Sequence, residues 1–75
     1  MSITVRFFAS LREDLGDNKT LAANQVKTAA DVWNYFSQKN LATNILISIN
    51  MEYVDAEHPI KDGDEVAFFP PVTGG

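Results

Sequence analysis

One segment has the residue spacing of a helix long enough to cover a sheet, and strand-like segments lie on both sides of it. Four apolar residues recur there at intervals of three and four positions: Ala29, Val32, Trp33 and Phe36. This spacing places them on one face of a helix. Thr28 and Asp31 fit a capping box in which Asp replaces the usual Glu. We therefore predict a main helix over about residues 29–39 that covers one face of a single sheet.

Strand-like alternation is clearest at the two ends of the sequence. Ile3, Val5 and Phe7 alternate with polar residues, so these side chains are predicted to share one face of a first strand. A similar alternation predicts a last strand over Glu65–Phe69. For this order of elements we expect the first and last strands to lie side by side and parallel at the centre of the sheet, with the helix across them.

Shorter segments supply the connections and the remaining strands. We predict a short helix over residues 11–15, capped by Ser10 and ended by Gly16, and then a polar loop over residues 17–19. Three more strands are expected: a weak one over residues 20–26 that forms a hairpin with the first, one over residues 44–50, and a short one at Tyr53 and Val54. Residues 62–64 are predicted to form a turn.

These elements predict an α+β roll, with a mixed sheet of four to five strands and one main helix. The chain has 75 residues, of which 45% are hydrophobic, so it is long enough for one domain and too apolar to stay disordered. We expect this domain over residues 1–69, followed by an extended, flexible tail over residues 70–75.

Charge and cysteine content exclude several classes of function. The chain has no cysteine, and therefore no disulfide, thiolate zinc site or cysteine nucleophile. Its formal net charge of -4 argues against nucleic acid and anionic membranes as partners and favours a basic protein surface. The N-terminal sequence lacks a signal-peptide pattern, and no apolar run is long enough to span a membrane. We expect a cytoplasmic protein.

The sequence offers few groups for catalysis by the chain alone. His58 is the only histidine and stands before Pro59 in an expected loop, which favours a solvated residue over a catalytic one. Residues 62–65 contain three carboxylates but lack the spacing and distal Glu of a calcium loop, so a reverse turn is the better interpretation. We predict no bound metal or cofactor.

The C-terminal sequence is the strongest functional signal. It consists of six residues: Pro70, Pro71, Val72, Thr73, Gly74 and Gly75. Two final glycines lack Cβ atoms and can pass through a narrow tunnel, and the two prolines stiffen the base of the segment. Fully extended, six residues reach about 20 Å, far enough to place the Gly75 carboxylate in another protein's active site. The alternative is a frayed terminus without a role.

A second signal is the sheet face opposite the helix. Strand alternation places Phe8, Phe69 and Tyr53 on that face, and neighbouring first and last strands would bring the two phenylalanines together. The predicted rim of this patch is charged: Arg6, Glu52 and Glu65. Exposed aromatic residues with a polar rim are typical of a protein–protein contact. The alternative is an ordinary structural role for these aromatic residues. It would hold if the strand alternation were shifted by one residue, or if loops half-buried this face of the sheet.

Both ends of the sequence resemble a known family. The element order with a terminal Gly-Gly resembles the ubiquitin-like sulfur carriers of the β-grasp fold. Residues 62–75, with their Phe-Phe-Pro-Pro run, are similar to the ending of the small subunit of molybdopterin synthases. Residues 5–9, followed by Leu11, Arg12 and Glu13, are similar to the beginning of that subunit.

The resemblance implies a sulfur-transfer cycle. An adenylating enzyme would use ATP and magnesium to adenylate Gly75, and sulfur delivery would then give a Gly75 thiocarboxylate. The large synthase subunit would receive Gly74 and Gly75 in its active site, where sulfur passes to a pterin precursor of the molybdenum cofactor. By this resemblance Phe8 and Phe69 fall at positions that pack against the partner. From their place in the sequence we expect Tyr53 and residues 70–73 to contact it as well. The expected assembly is a heterotetramer of two small and two large subunits.

Three other functions remain open at this point. A sulfur carrier of thiamine thiazole synthesis shares the Gly-Gly chemistry but usually lacks the Phe-Phe-Pro-Pro run. A ubiquitin-like modifier would instead form an isopeptide bond through Gly75. A non-catalytic β-grasp interaction domain would use the sheet face alone.

Overall fold

The computed structural model describes residues 2–37, 41 and 44–70 of the chain. Within that part, the helices and strands follow one another in this order: β1 (Ser2–Phe7), α1 (Ser10–Leu15), β2 (Asn18–Ala22), a short 3-10 turn (Ala23–Gln25), α2 (Ala29–Phe36), β3 (Leu46–Ile49), β4 (Glu52–Val54) and β5 (Glu65–Phe69).

The strands form one mixed sheet in the order β2-β1-β5-β3-β4. β1 and β5 are parallel and occupy the middle, with Val5 opposite Val66 and Phe7 opposite Phe68. The other three pairs are antiparallel. The predicted α+β roll and the central, parallel pairing of the first and last strands are confirmed.

The core lies between the sheet and α2. Phe7 and Phe68 are fully buried and stack with ring centroids 5.6 Å apart. Trp33 of α2 lies 5.3 Å from Phe68 and 6.4 Å from Phe7, and Phe36 lies 5.8 Å from Phe7. Since the inward residues of β1 and β5 bury completely against the helix, their neighbours in sequence must face the opposite side of the sheet.

The start of α2 is capped as predicted. Thr28 Oγ1 accepts a hydrogen bond from the Asp31 backbone N–H at 3.3 Å, and Asp31 Oδ2 accepts from Thr28 N–H at 3.1 Å. Asp31 Oδ2 also accepts from Lys27 N–H at 2.9 Å. These backbone donors, that of Lys27 first and that of Thr28 second, lower the pKa of the Asp31 carboxyl.

The main helix is shorter than predicted. It ends at Phe36, because Ser37 adopts an extended backbone with φ -116° and ψ 142°. The Ser37 N–H still bonds to the Trp33 carbonyl at 2.9 Å and closes the last turn. The last two residues of the predicted helix, 38 and 39, lie outside the described residues.

The prediction for α1 was wrong at its start but right at its end, where Gly16 follows Leu15, and the prediction for β2 was wrong at both ends. Ser10 is the first helical residue of α1, and Ala9 holds the cap position with φ 54° and no side-chain cap. β2 begins at Asn18 rather than residue 20, because it pairs back on β1 from Arg6 onward. It ends at Ala22, where the chain enters the 3-10 turn, so the poor strand formers that follow are not in the sheet.

A compact turn region joins β3, β4 and β5. The two residues between β3 and β4, Asn50 and Met51, have φ values of 52° and 73°, as two-residue hairpins with a I′ turn require. The buried Asp64 accepts from Asn50 Nδ2 at 2.9 Å and from Lys61 N–H at 2.8 Å. Asn50 Oδ1 in turn accepts from Glu65 N–H at 3.0 Å. The predicted turn at residues 62–64 is thereby tied to the hairpin.

Candidate functional site

The sheet face opposite α2 carries side chains from four adjacent strands. We call this the open face. Strand register places one row of residues across it, consisting of Arg6, Ala67, Ser48 and Tyr53 in β1, β5, β3 and β4. Phe69 and its register partner Leu46 belong to the next row. Two small residues in the middle of the first row therefore stand between two large ones.

The three aromatic residues predicted for this face are together. Phe8 and Phe69 stack with centroids 4.7 Å apart and an interplanar angle of 9°. Tyr53 meets Phe69 edge-on at 6.2 Å. Phe8 and Phe69 are half-buried, whereas Tyr53 is 72% exposed. The slip of one residue does not occur, since Phe7 and Phe68 are the buried rings.

Arg6 forms the charged side of the aromatic cluster. Its guanidinium carbon lies 5.1 Å from the centroid of the Phe8 ring, within range of a cation–π contact. Arg6 Nη1 lies 4.0 Å from Glu65 Oε2, and both side chains are partly exposed. An ion pair of this length at a surface contributes little to stability, so these two charges remain accessible to a partner.

A shallow depression of about 320 Å³ lies on the open face between Arg6 and Tyr53. Ala67 and Ser48, both buried, occupy the middle of the row beneath it. The aromatic rings of Phe8 and Phe69 border it. Apart from Met51, the large residues that line the depression are aromatic or charged, and the small residues of β5 and β3 leave the space between them.

Sequence reasoning missed three members of this surface. Leu46 is 42% exposed beside Phe69, and Met51 is 90% exposed at the hairpin. Ser48 lines the depression. Alternation in β3 already separates Leu46 and Ser48 from the buried isoleucines, so their direction was readable. Their position next to β5 was not, because it depends on strand register.

The C-terminal segment begins beside this cluster. β5 ends at Phe69, and the half-buried Pro70 follows it. Pro71, Val72, Thr73, Gly74 and Gly75 lie outside the described residues. The structure thus places Pro70, the first residue of the C-terminal segment, at the end of a central strand and directly after one of the stacked phenylalanines.

The remaining candidates form no reaction centre. His58 is exposed, and its backbone donates to Asp55 O and accepts from Ala29 N–H. Across residues 2–37, 41 and 44–70, no cluster of three or more histidine or carboxylate groups is arranged to hold a metal. Within the same ranges, the helices are too short or too polar to cross a membrane.

Comparisons with known proteins agree along almost the entire chain. Residues 5–75 match the ThiS family. The molybdopterin synthase sulfur carrier subunit of Escherichia coli (strain K12) is 40% identical over 80 residues, which cover 97% of this chain and 99% of that protein.

Two solved structures are similar along their full lengths. SAMP1, the small archaeal modifier protein 1, from Haloferax volcanii has a TM-score of 0.78 at 25% identity, with 100% of each chain covered. A complex of subunits 1 and 2 of the molybdopterin-converting factor from Helicobacter pylori has a chain with a TM-score of 0.67 at 26% identity, again with 100% coverage of both. The predicted ubiquitin-like β-grasp architecture is confirmed.

Proposed function

We propose that this chain, which belongs to the ThiS family, is the sulfur carrier subunit of a molybdopterin synthase. The observation that carries the proposal is the full-length similarity to the carrier subunit of Escherichia coli. The open face supports it, because a carrier needs a docking surface close to the base of its reactive end. The chain is not a catalyst by itself but the sulfur-donating part of a larger enzyme.

The reactive group is the Gly75 carboxylate. A carboxylate oxygen is a poor leaving group, so it must first attack the α-phosphate of ATP, which gives an acyl-adenylate and releases pyrophosphate. A sulfur nucleophile then attacks the acyl carbon and displaces AMP, leaving a thiocarboxylate. ATP and magnesium belong to a separate adenylating enzyme, and a cytoplasmic location gives the carrier access to both.

The open face receives the partners in turn. Phe8, Phe69 and Tyr53 pack against the adenylating enzyme and later against the large synthase subunit. Residues 70–73 lead the end of the chain into the partner, and Gly74 and Gly75 enter its active site, since a backbone without Cβ atoms fits a narrow channel. The thiocarboxylate sulfur passes there to a pterin precursor. We propose two small and two large subunits in the assembled synthase.

Intact-mass spectrometry tests the first half of the proposal. The full chain is incubated with ATP, magnesium, sulfide and a molybdenum-cofactor adenylating enzyme. Replacement of oxygen by sulfur at Gly75 adds about 16 Da. The reaction without ATP is the control. An unchanged mass in the complete reaction would contradict the proposal and favour a non-catalytic interaction domain.

A sulfur-transfer assay tests the second half of the proposal, the donation of sulfur to the pterin precursor. The thiocarboxylate form is mixed with the large subunit and the pterin precursor, and loss of the added mass is followed together with dithiolene formation. Sulfur that passes only to a thiazole precursor would instead indicate the thiamine pathway. A stable adduct on a lysine side chain would indicate a protein modifier.

A further inference from the structure

Arg6 carries a buried donor without an acceptor. Among the residues that the structure describes, its Nε is the one buried side-chain polar atom that lacks a hydrogen-bond partner. Buried N–H groups in folded proteins are nearly always paired, because an unpaired one is costly. The group belongs to the lining of the open-face depression and not to the core.

The neighbours of Arg6 contact its guanidinium but accept no hydrogen bond from Nε. The Phe8 ring, at 5.1 Å, attracts the charge but offers no lone pair in the guanidinium plane. Glu65 Oε2 is 4.0 Å from Nη1, beyond hydrogen-bond length. Since the Arg6 side chain is 41% exposed, the guanidinium has room to turn towards a group that arrives from outside.

The depression beside Arg6 favours an acceptor group. Ala67 and Ser48 leave a space of about 320 Å³ between Arg6 and Tyr53, enough for one side chain. Arg6, Ser48 and Tyr53 line this space, and their side chains carry N–H and hydroxyl donors. Glu65 lines it too, but its carboxylate is 4.0 Å from Arg6 Nη1 and leaves Nε without an acceptor. A carboxylate has two oxygens that accept from a planar guanidinium side by side, and it accepts from hydroxyls as well.

We propose that Arg6 is a specificity-determining residue of the open face, which receives one aspartate or glutamate side chain of the large synthase subunit in the depression. This inference rests on the proposed function, because it assumes that the open face docks that subunit. The carboxylate accepts from Nε and a terminal nitrogen of Arg6. Contacts of the Phe8 and Phe69 rings are not directional, whereas a two-point charge pair fixes the orientation of the docked carrier.

Calorimetric titration of the large subunit with full-length carrier variants tests the role of Arg6. Arg6→Met retains an unbranched stem but removes all donors, and we expect Kd to rise about tenfold or more. Arg6→Lys retains the charge but not the planar fork, and should also bind several-fold more weakly. Lys27→Met removes the same charge beside α2, on the other side of the sheet, and should change Kd by less than about twofold.

A double-mutant cycle identifies the acceptor. Each aspartate and glutamate on the contact surface of the large subunit is replaced by its amide and titrated with wild-type carrier and Arg6→Met. We expect one carboxylate whose replacement has a large effect with the wild type and almost none with Arg6→Met. Circular dichroism of the free variants confirms that each is folded.

Provided that the wild type binds and transfers sulfur, this inference alone would be overturned by wild-type affinity of both Arg6 variants. The absence of any carboxylate coupled to Arg6 would overturn it in the same way. Wild-type affinity of Arg6→Lys with weak binding of Arg6→Met would also overturn it, since charge without the fork would then suffice. Failure of the wild type to bind the large subunit would overturn the proposed function together with the inference.

Discussion

Phe68 and Phe69 are adjacent in β5, and their rings lie on opposite faces of the sheet. Phe68 is completely buried beneath α2, whereas Phe69 is half-buried and stacks on Phe8. We expect Phe69→Ala to weaken binding of the large subunit by roughly 1–3 kcal/mol and to change the stability of the free chain by less. Titration calorimetry and urea unfolding measure the two effects.

Phe68→Ala is the matched control. It removes the same ring from the core and should lower the free energy of unfolding by about 3–5 kcal/mol. If Phe69→Ala lowered the free energy of unfolding more than Phe68→Ala did, and left binding of the large subunit unchanged, the open face would not be a docking surface.

At the level of single residues, the direction of most side chains was readable from the sequence. The period of two in a strand is fixed by backbone geometry, so the burial of Phe7 implies that Phe8 faces away. The environment of Arg6 was not readable in the same way. Its unpaired Nε and the small residues beside it depend on how β1, β5 and β3 align, which no local pattern specifies.

Among the elements, α2 has a pH-dependent start. Backbone N–H groups of Lys27 and Thr28 lower the pKa of Asp31 below its usual 3.8. Its ionised form therefore stabilises the fold above that value, and this contribution is lost as the pH falls through the lowered pKa. We expect Asp31→Asn to be less stable than wild type at neutral pH, and the difference to shrink below about pH 4. Thermal unfolding across pH measures this.

Thr28→Ala provides the comparison for that experiment. It removes the hydroxyl that accepts from Asp31 N–H and should lower the free energy of unfolding by about 1 kcal/mol. The hydroxyl does not titrate in this range, so most of that cost should persist at acidic pH. A gap between wild type and Asp31→Asn that stays constant down to pH 2, a value about two units below the usual pKa, would contradict the assigned role of the carboxylate.

The hairpin of β3 and β4 depends on Asn50. Asn50→Ala removes its two side-chain hydrogen bonds, leaves the buried Asp64 with an unpaired oxygen and puts alanine at φ 52°, a backbone conformation that asparagine adopts more readily. We expect a loss of about 2–3 kcal/mol in the free energy of unfolding. Glycine tolerates the positive φ, so Asn50→Gly should lose about 1 kcal/mol less free energy of unfolding than Asn50→Ala. Equal stability of Asn50→Ala and wild type in urea titrations would rule out this role.

Local signals defined α2 better than β2. The Thr28 and Asp31 pair marks where a helix begins, and the structure has that capping box. β2 has no comparable start signal, and its polar beginning joins the sheet only because β1 lies beside it. The hydrogen bond between Asn50 and Asp64 joins residues fourteen positions apart, a separation beyond the reach of turn patterns.

For the molecule as a whole, the proposed chemistry at Gly75 lies outside the part of the chain that forms the core. Every buried apolar residue of the described structure lies between Ile3 and Phe68. We therefore expect deletion of Gly75 to leave the thermal midpoint within about 2 °C of wild type. Formation of the acyl-adenylate should be abolished, because the deletion moves the carboxylate back by one residue. Adenylation at the wild-type rate in a pyrophosphate-release assay would contradict this.

The pairing of β1 with β5 affects how the protein is made. Arg6 and Phe8 emerge from the ribosome well before Ala67 and Phe69, their neighbours on the open face. Such non-local pairing cannot form on a partly synthesised chain. Prematurely terminated chains that lack β5 therefore cannot form the open face. If partners dock there, as we propose, an activating enzyme that selects for this face would spend ATP only on chains in which β5 is present.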